Sequence, residues 1–269
     1  MTTSDVSEWW STAIIDMVPG QIRMRGTPIE DLIGTVGFAE MIWRMTRTDT
    51  PTPDQVSLLE AALVAAVDHG PQAPSIAAAR MAVSCGLPLN NAMGSAVNML
   101  GDVHGGAGEQ AVELYWQIAD AMDAGPLDIV VDSALAEWRA TRDAFIPGFG
   151  HRFHKPKDPR APRLLDLVDT TAATGAVNGQ FAKIGRAIQS ALARDKGKPV
   201  PMNIDGATAA IFAELGFPAP LARGLFCLSR SVGILAHAWE QMQQGGRNKG
   251  PTPPGYRWTY TGANPIEDT

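Results

Sequence analysis

Three histidines and an aspartate stand where side chains can do chemistry. Of the five histidines in the chain, three lie in glycine-flanked turns: His69 in DHGP, His104 in DVHGGAGE and His151 in PGFGHRFHKPKDPR. Asp205 lies in PMNIDGATAA, directly before a helical run. Imidazole and carboxylate are the common general acid–base groups near neutral pH. Glycine beside such a group lets backbone approach a ligand and adopt angles closed to other residues. Singly, each reads first as a turn histidine or a helix-capping aspartate. Taken together, the bland reading needs four separate coincidences.

The elements that must hold these groups read as helical nearly throughout. Thr52, followed by Pro53, Asp54 and Gln55, has the form of a capped helix start: a hydroxyl, a first-turn proline and a capping-box amide. Val56, Leu59, Leu63 and Val67 then recur at helical spacing up to Asp68-His69-Gly70-Pro71. Residues 75–83, 91–100 and 107–123 read as further helices, and Leu221 to Gln244 as the longest, with Leu221, Leu225, Leu228, Val232 and Leu235 on one side. Sustained alternation is absent, so the expected fold class is all-α. The irregular stretches are 68–74, 101–106, 146–163, 195–206 and 245–262, and the candidate groups cluster in them.

Bulk properties narrow the class. A hydrophobic content of 45% with 19% charged residues fits a globular protein, and a net charge of −6 argues against a nucleic-acid partner. No uninterrupted apolar run of bilayer length is read, and MTTSDVSEWW lacks the basic-then-apolar pattern of a leader, so a cytoplasmic protein without a membrane partner is expected. Cys85 and Cys227, in AVSCGL and LFCLSR, read as two buried reduced thiols. His154 follows His151 by three residues, but glycine and prolines preclude a regular helix and no acidic or cysteine ligands stand near, so no metal is expected. His237, inside the apolar last helix, reads as a satisfied core histidine.

Five motifs in order over residues 23–262 resemble the citrate synthase family. They are RMRGTPIEDLIGTVGFAEMIWRMTRTDTPTPDQ, DVHGGAGE, PGFGHRFHKPKDPR, MNIDG and LSRSVGILAHAWEQ. The resemblance implies an all-helical protein of a large and a smaller domain, with 1–106 and 219–269 in the first and 107–218 in the second. It implies at least a homodimer. It assigns Asp205 as the base that removes a proton from an acetyl thioester, His104 as donor to the thioester oxygen, and His151 as donor to the oxygen of a 2-oxo acid. His69, Arg160, Arg230 and, less securely, Arg152 match the family's keto-acid site, where guanidinium forks suit carboxylates. Lys155, Lys157, Arg163, Lys196 and Lys198 read either as a solvated face or as a landing site for the phosphates of coenzyme A. Coenzyme A enters as a substrate thioester; no tightly bound cofactor is implied.

Two features depart from the synthases. The PTPDQ helix runs almost directly into DHGP, as in citryl-CoA lyases. Gly250-Pro251 also stands where the synthases carry an arginine before proline, with Arg247 and Lys249 as neighbouring cations. The expected activity is therefore reversible cleavage of citryl-CoA, or of a relative such as citramalyl-CoA, to acetyl-CoA and a 2-oxo acid. The alternatives are synthase-type condensation with release of CoA, and a non-catalytic acyl-CoA-binding paralogue.

Overall fold

Capping and alanine-rich packing shape this chain more than strand pairing does. The computed structural model describes residues 9–263; the first eight residues of the N-terminal segment, and with them most of the leader reading, lie outside the described residues. The chain opens on a small antiparallel sheet, β1 (Ile15–Val18), β2 (Gln21–Met24) and β3 (Thr27–Pro28), in sequential order. The all-helical expectation passed over it because the strands are at most four residues long. Arg25 and Gly26 both take positive φ, the backbone that a tight hairpin between β2 and β3 requires.

Eleven helices follow among the described residues. They are α1 (Ile29–Leu32), α2 (Phe38–Thr46), α3 (Pro53–Ala65), α4 (Pro74–Ser84), α5 (Leu89–Val97), α6 (Ala107–Asp120), α7 (Leu127–Thr141), α8 (Arg160–Ala173), α9 (Gln180–Lys196), α10 (Ile204–Glu214) and α11 (Ala219–Gln244). The capping box forms as read: Thr52 Oγ1 accepts the Gln55 amide at 3.3 Å, and the Thr52 amide donates to Gln55 Oε1 at 2.9 Å.

The described residues fall into two compact units, the first within Met1–Ala66 and Gly106–Phe226, the second within Val67–Gly105 and Cys227–Thr269. This division differs from the expected 1–106 with 219–269 against 107–218 in placing the early residues, 1–66, and also 219–226 with 106–218. The early residues join 106–226 because α3 packs on α8 and α10.

In the first unit α10 lies at the centre, packed against α3, α6, α8 and α9. Small side chains, Gly206, Ala207, Ala209, Ala210 and Ala213, let four helices approach it, and all are buried. Trp43, nearly fully buried, meets Phe217 edge to face at 5.2 Å, with the Arg47 guanidinium over both rings. The Glu214 carboxylate receives the amides of Gly179, Phe181 and Ala182 and so caps α9 from outside it.

In the second unit α4 and α5 pack together, with Ile76, Ala79, Ala92 and Ala96 forming a core that Ile234 and Ala238 of α11 complete. The reading of α11 needs correction. Leu225 is buried, but Leu228, Val232 and Leu235 are 48%, 58% and 41% exposed. On the inward face Gly233 donates its amide to the Val67 carbonyl at 3.1 Å, and a Cβ there would lie 2.2 Å from that oxygen. A further correction concerns membranes. α11 is long and apolar enough to cross one by length and composition, as the core helix of a soluble protein also is. Cys85 is exposed rather than buried, because it sits at the C-terminal end of α4; Cys227 is half-buried, and neither forms a disulfide among the described residues.

Replacing Thr52 by Ala removes one half of the capping box and should cost about 1 kcal/mol. Urea unfolding is expected to show a lower midpoint at an unchanged slope.

Candidate active site

Glycines make the His151 loop and the start of α10 a single piece of backbone. Asn203 caps α10, its Oδ1 accepting the amides of Asp205 at 2.9 Å and Gly206 at 3.3 Å. Its Nδ2 donates to the Gly150 carbonyl at 2.9 Å, and its amide donates to the Gly148 carbonyl at 3.0 Å. Gly150 returns a bond to the Pro201 carbonyl at 2.7 Å. Gly148, at φ +84°, lies so close to Gly206 that a Cβ on Gly206 would sit 2.4 Å from the Gly148 oxygen. Behind them, the buried Tyr115 hydroxyl donates to the Gly206 carbonyl at 3.0 Å, and burial pushes this phenol far above its ordinary range. The loop carrying His151 and the helix turn carrying Asp205 are thus held by the same few peptide groups.

His151 is half-buried, and its Nδ1 accepts the amides of Phe153 at 3.0 Å and His154 at 2.9 Å. An amide can only donate, so a neutral His151 carries its proton on Nε2. Burial lowers the imidazole's affinity for a second proton, and the charges of His154 and Arg160 lower it further, against the opposing pull of Asp158. Arg160, at the start of α8, is gripped by the fully buried carboxylate of Asp158, with Nε–Oδ1 at 3.0 Å and Nη2–Oδ2 at 2.7 Å. Arg152 is exposed.

The second unit carries the other histidines. His104 precedes Gly105, whose φ is +98°, and the run into α6. Its Nε2 accepts the Ser75 amide at 3.2 Å, with Ser75 Oγ at 3.0 Å from the same nitrogen. The neutral ring therefore carries its proton on Nδ1. Burial, then the positive charge of Arg230, keeps this imidazole neutral to lower pH than usual. Arg230 is only 3% exposed on α11. His69 follows Asp68 in the turn before α4, where the Asp68 carboxylate accepts the Gly70 amide at 3.2 Å.

The candidates so divide into two sets, His151, Asp205, Arg160 and Arg152 in the first unit and His104, His69 and Arg230 in the second. The sequence reading missed Ser75 and Asp158 as supports. Asp158 had a signal, lying two residues before Arg160 in KDPR; Ser75 had none, being 29 residues from His104.

Lys155, Lys157, Arg163, Lys196 and Lys198 are all exposed on the first unit. Of these, Lys157 lines a cavity of about 660 Å³ between α8, α9 and the Pro199–Met202 segment; the other four do not line it. Lys249, one of the two cations near Gly250-Pro251, donates from Nζ to Gln241 Oε1 of its own chain at 3.3 Å; Arg247 is exposed. Among the described residues no three His, Cys, Asp or Glu side chains gather as a metal site.

Comparison with known proteins agrees with this architecture. Residues 35–251 match the citrate synthase C-terminal domain, and the chain belongs to the citrate synthase family. Citrate synthase of Haloferax volcanii is 29% identical over 244 residues, 90% of this chain and 59% of that protein. Citrate synthase 1 of Mycobacterium tuberculosis is 30% identical over 217 residues, 78% of this chain and 47% of that protein. The chain thus spans about half the length of such relatives. Citryl-CoA lyase from Hydrogenobacter thermophilus superposes with a TM-score of 0.83 at 31% identity, covering 97% of both chains. ATP citrate lyase from Methanothrix soehngenii shares the fold at a TM-score of 0.76 and 20% identity, over 99% of this chain and 45% of that one.

Two outcomes follow from this geometry. Gly206→Ala forces a methyl group onto the Gly148 carbonyl and should cost about 1–3 kcal/mol of stability, read by thermal unfolding. Nitrogen-15 spectra of the histidines should show His104 protonated at Nδ1 and His151 at Nε2, both titrating below 6.5. Because the folded values lie below the unfolded one, these rings add no penalty above pH 6.5 and weaken the fold as pH drops beneath it.

Proposed function

We propose that the protein reversibly cleaves citryl-CoA to acetyl-CoA and oxaloacetate. The observation that carries this reading is the likeness to a citryl-CoA lyase along 97% of both chains at 31% identity. The imidazole geometry supports it. Enolate formation beside a thioester needs a donor at the carbonyl oxygen, and a neutral His104 with its proton on Nδ1 is such a donor. Asp205 serves as the base at the acetyl carbon in condensation, and returns a proton to the enolate in cleavage. His151 donates from Nε2 to the oxygen of the 2-oxo acid as that oxygen becomes an alkoxide. With Nδ1 accepting two amides, His151 offers Nε2–H as a donor to this oxygen in either direction, and in cleavage the hydroxyl proton leaves to solvent as Asp205 supplies one to the enolate.

Arg160, Arg230, His69 and Arg152 bind the carboxylates of the oxo acid in this reading. The basic residues 155, 157, 163, 196 and 198 meet the phosphates of coenzyme A, which is a substrate and not a resident cofactor. Lys249 is tied to Gln241, so Arg247 is the neighbouring cation left to replace the synthases' arginine; without it a smaller oxo acid such as pyruvate, from citramalyl-CoA, is favoured. The protein works as at least a homodimer, in the cytoplasm. Leu228, Val232, Leu235, Trp239 and Met242, spaced four, three, four and three residues apart, form an exposed apolar stripe on α11 suited to helix–helix contact with a second copy. Condensation with release of CoA is the second reading, favoured by sequence relatives named citrate synthase.

The purified protein should release oxaloacetate from citryl-CoA, or pyruvate from citramalyl-CoA, as followed by coupled reduction of the oxo acid. Asp205→Asn should abolish turnover and spare acyl-CoA binding. No oxo acid from either thioester overturns the lyase reading, and free thiol from acetyl-CoA plus oxaloacetate without an acyl-CoA adduct favours the synthase.

A further inference from the structure

His237 lies on α11, outside the groups assigned above, yet both of its ring nitrogens are committed. Nδ1 lies 3.2 Å from Nη1 of Arg80, and Nε2 lies 3.2 Å from Oδ1 of Asp68. A guanidinium has no lone pair to accept with, so Arg80 donates and Nδ1 accepts. The ring's proton therefore sits on Nε2, where it donates to the Asp68 carboxylate. Arg80 is itself fixed by Glu240 at 2.6 Å and Gln244 at 2.8 Å, one and two turns further along α11.

The far end of this chain of bonds is the turn that presents His69. Asp68 precedes His69 directly, and its Oδ2 accepts the Gly70 amide at 3.2 Å. Burial alone would raise this carboxyl, but the bonds from His237 and from the Gly70 and His69 amides outweigh it and hold Asp68 ionised. The same turn is pinned on its other side by the bond from the Gly233 amide to the Val67 carbonyl, where no side chain fits. A carboxylate with one oxygen on a helix side chain and the other on the turn's own amide fixes the turn's rotation as well as its distance from α11.

We propose that His237 is a positioning residue for His69, acting through Asp68 and itself oriented by Arg80. The inference rests on the reading of His69 as a substrate-binding group. It requires at position 237 one acceptor facing Arg80 and one donor facing Asp68. Glutamine offers both; leucine offers neither.

The test compares His237→Gln with His237→Leu in the full chain, using nitrogen-15 histidine spectra and steady-state kinetics on citryl-CoA and citramalyl-CoA. His237→Gln should keep the His69 signals and the KM of the parent protein. His237→Leu should shift the His69 signals and raise KM about tenfold with little change in kcat, as expected when a charge-assisted bond that orients a binding group is lost. If His237→Leu does not fold, Asp68→Asn serves instead, since one of its two contacts then meets an amide donor, and the same shift and rise are expected. Unchanged His69 signals and KM in the leucine or asparagine variant overturn the proposal, as does an equal rise in KM for glutamine and leucine. If the parent protein turns over neither thioester, the functional reading fails, while the His69 signals still decide the positioning claim.

Discussion

Two glycines meeting where no methyl group fits set the terms for half of the candidate site. Gly148 and Gly206 bring a loop and a helix start into direct backbone contact, and Asn203 then bonds to both sides. Any side chain at either glycine would push the His151 loop off the turn that carries Asp205. Precision at a reaction centre requires groups held by locked neighbours, and peptide groups are the stiffest neighbours available. The wide burial of α10 and the Tyr115 bond behind Gly206 serve the same end by leaving the helix no room to shift.

A second economy lies in how the rings are kept neutral. Of the three candidate histidines, His104 and His151 each receive main-chain amides on one nitrogen, which fixes where the proton resides. A carboxylate there would favour the charged imidazolium. Amides select a tautomer while leaving the ring uncharged, and burial reinforces the choice. Neutral rings suit a reaction in which negative charge appears on oxygen and must be met by a directed bond.

Much of this was legible in the sequence, where the signal was local. The capping box at Thr52, the helices read from 53, 107 and 221, and the turns around His69, His104 and His151 follow from residue types a few positions apart. Ordering of five motifs gave the family. What escaped depended on partners far along the chain. Ser75 reaches His104 across 29 residues, and Arg80 reaches His237 across 157. The leucine spacing on α11 does not say which side faces the core; Gly233 packs on the backbone at Val67, where no side chain fits, while Leu228, Val232 and Leu235 are exposed. The short opening sheet had too few residues to show an alternation.

The burial of α10 also bears on how such a protein can diverge. Nine of its eleven residues are buried, most of them no larger than alanine or threonine, so nearly every enlargement there has to displace another helix. Room for larger side chains lies elsewhere, at the exposed cations beside His151 and in the segment 245–263. On the proposed reading, changes at such positions can alter the preference among oxo acids while the element carrying Asp205 stays as it is.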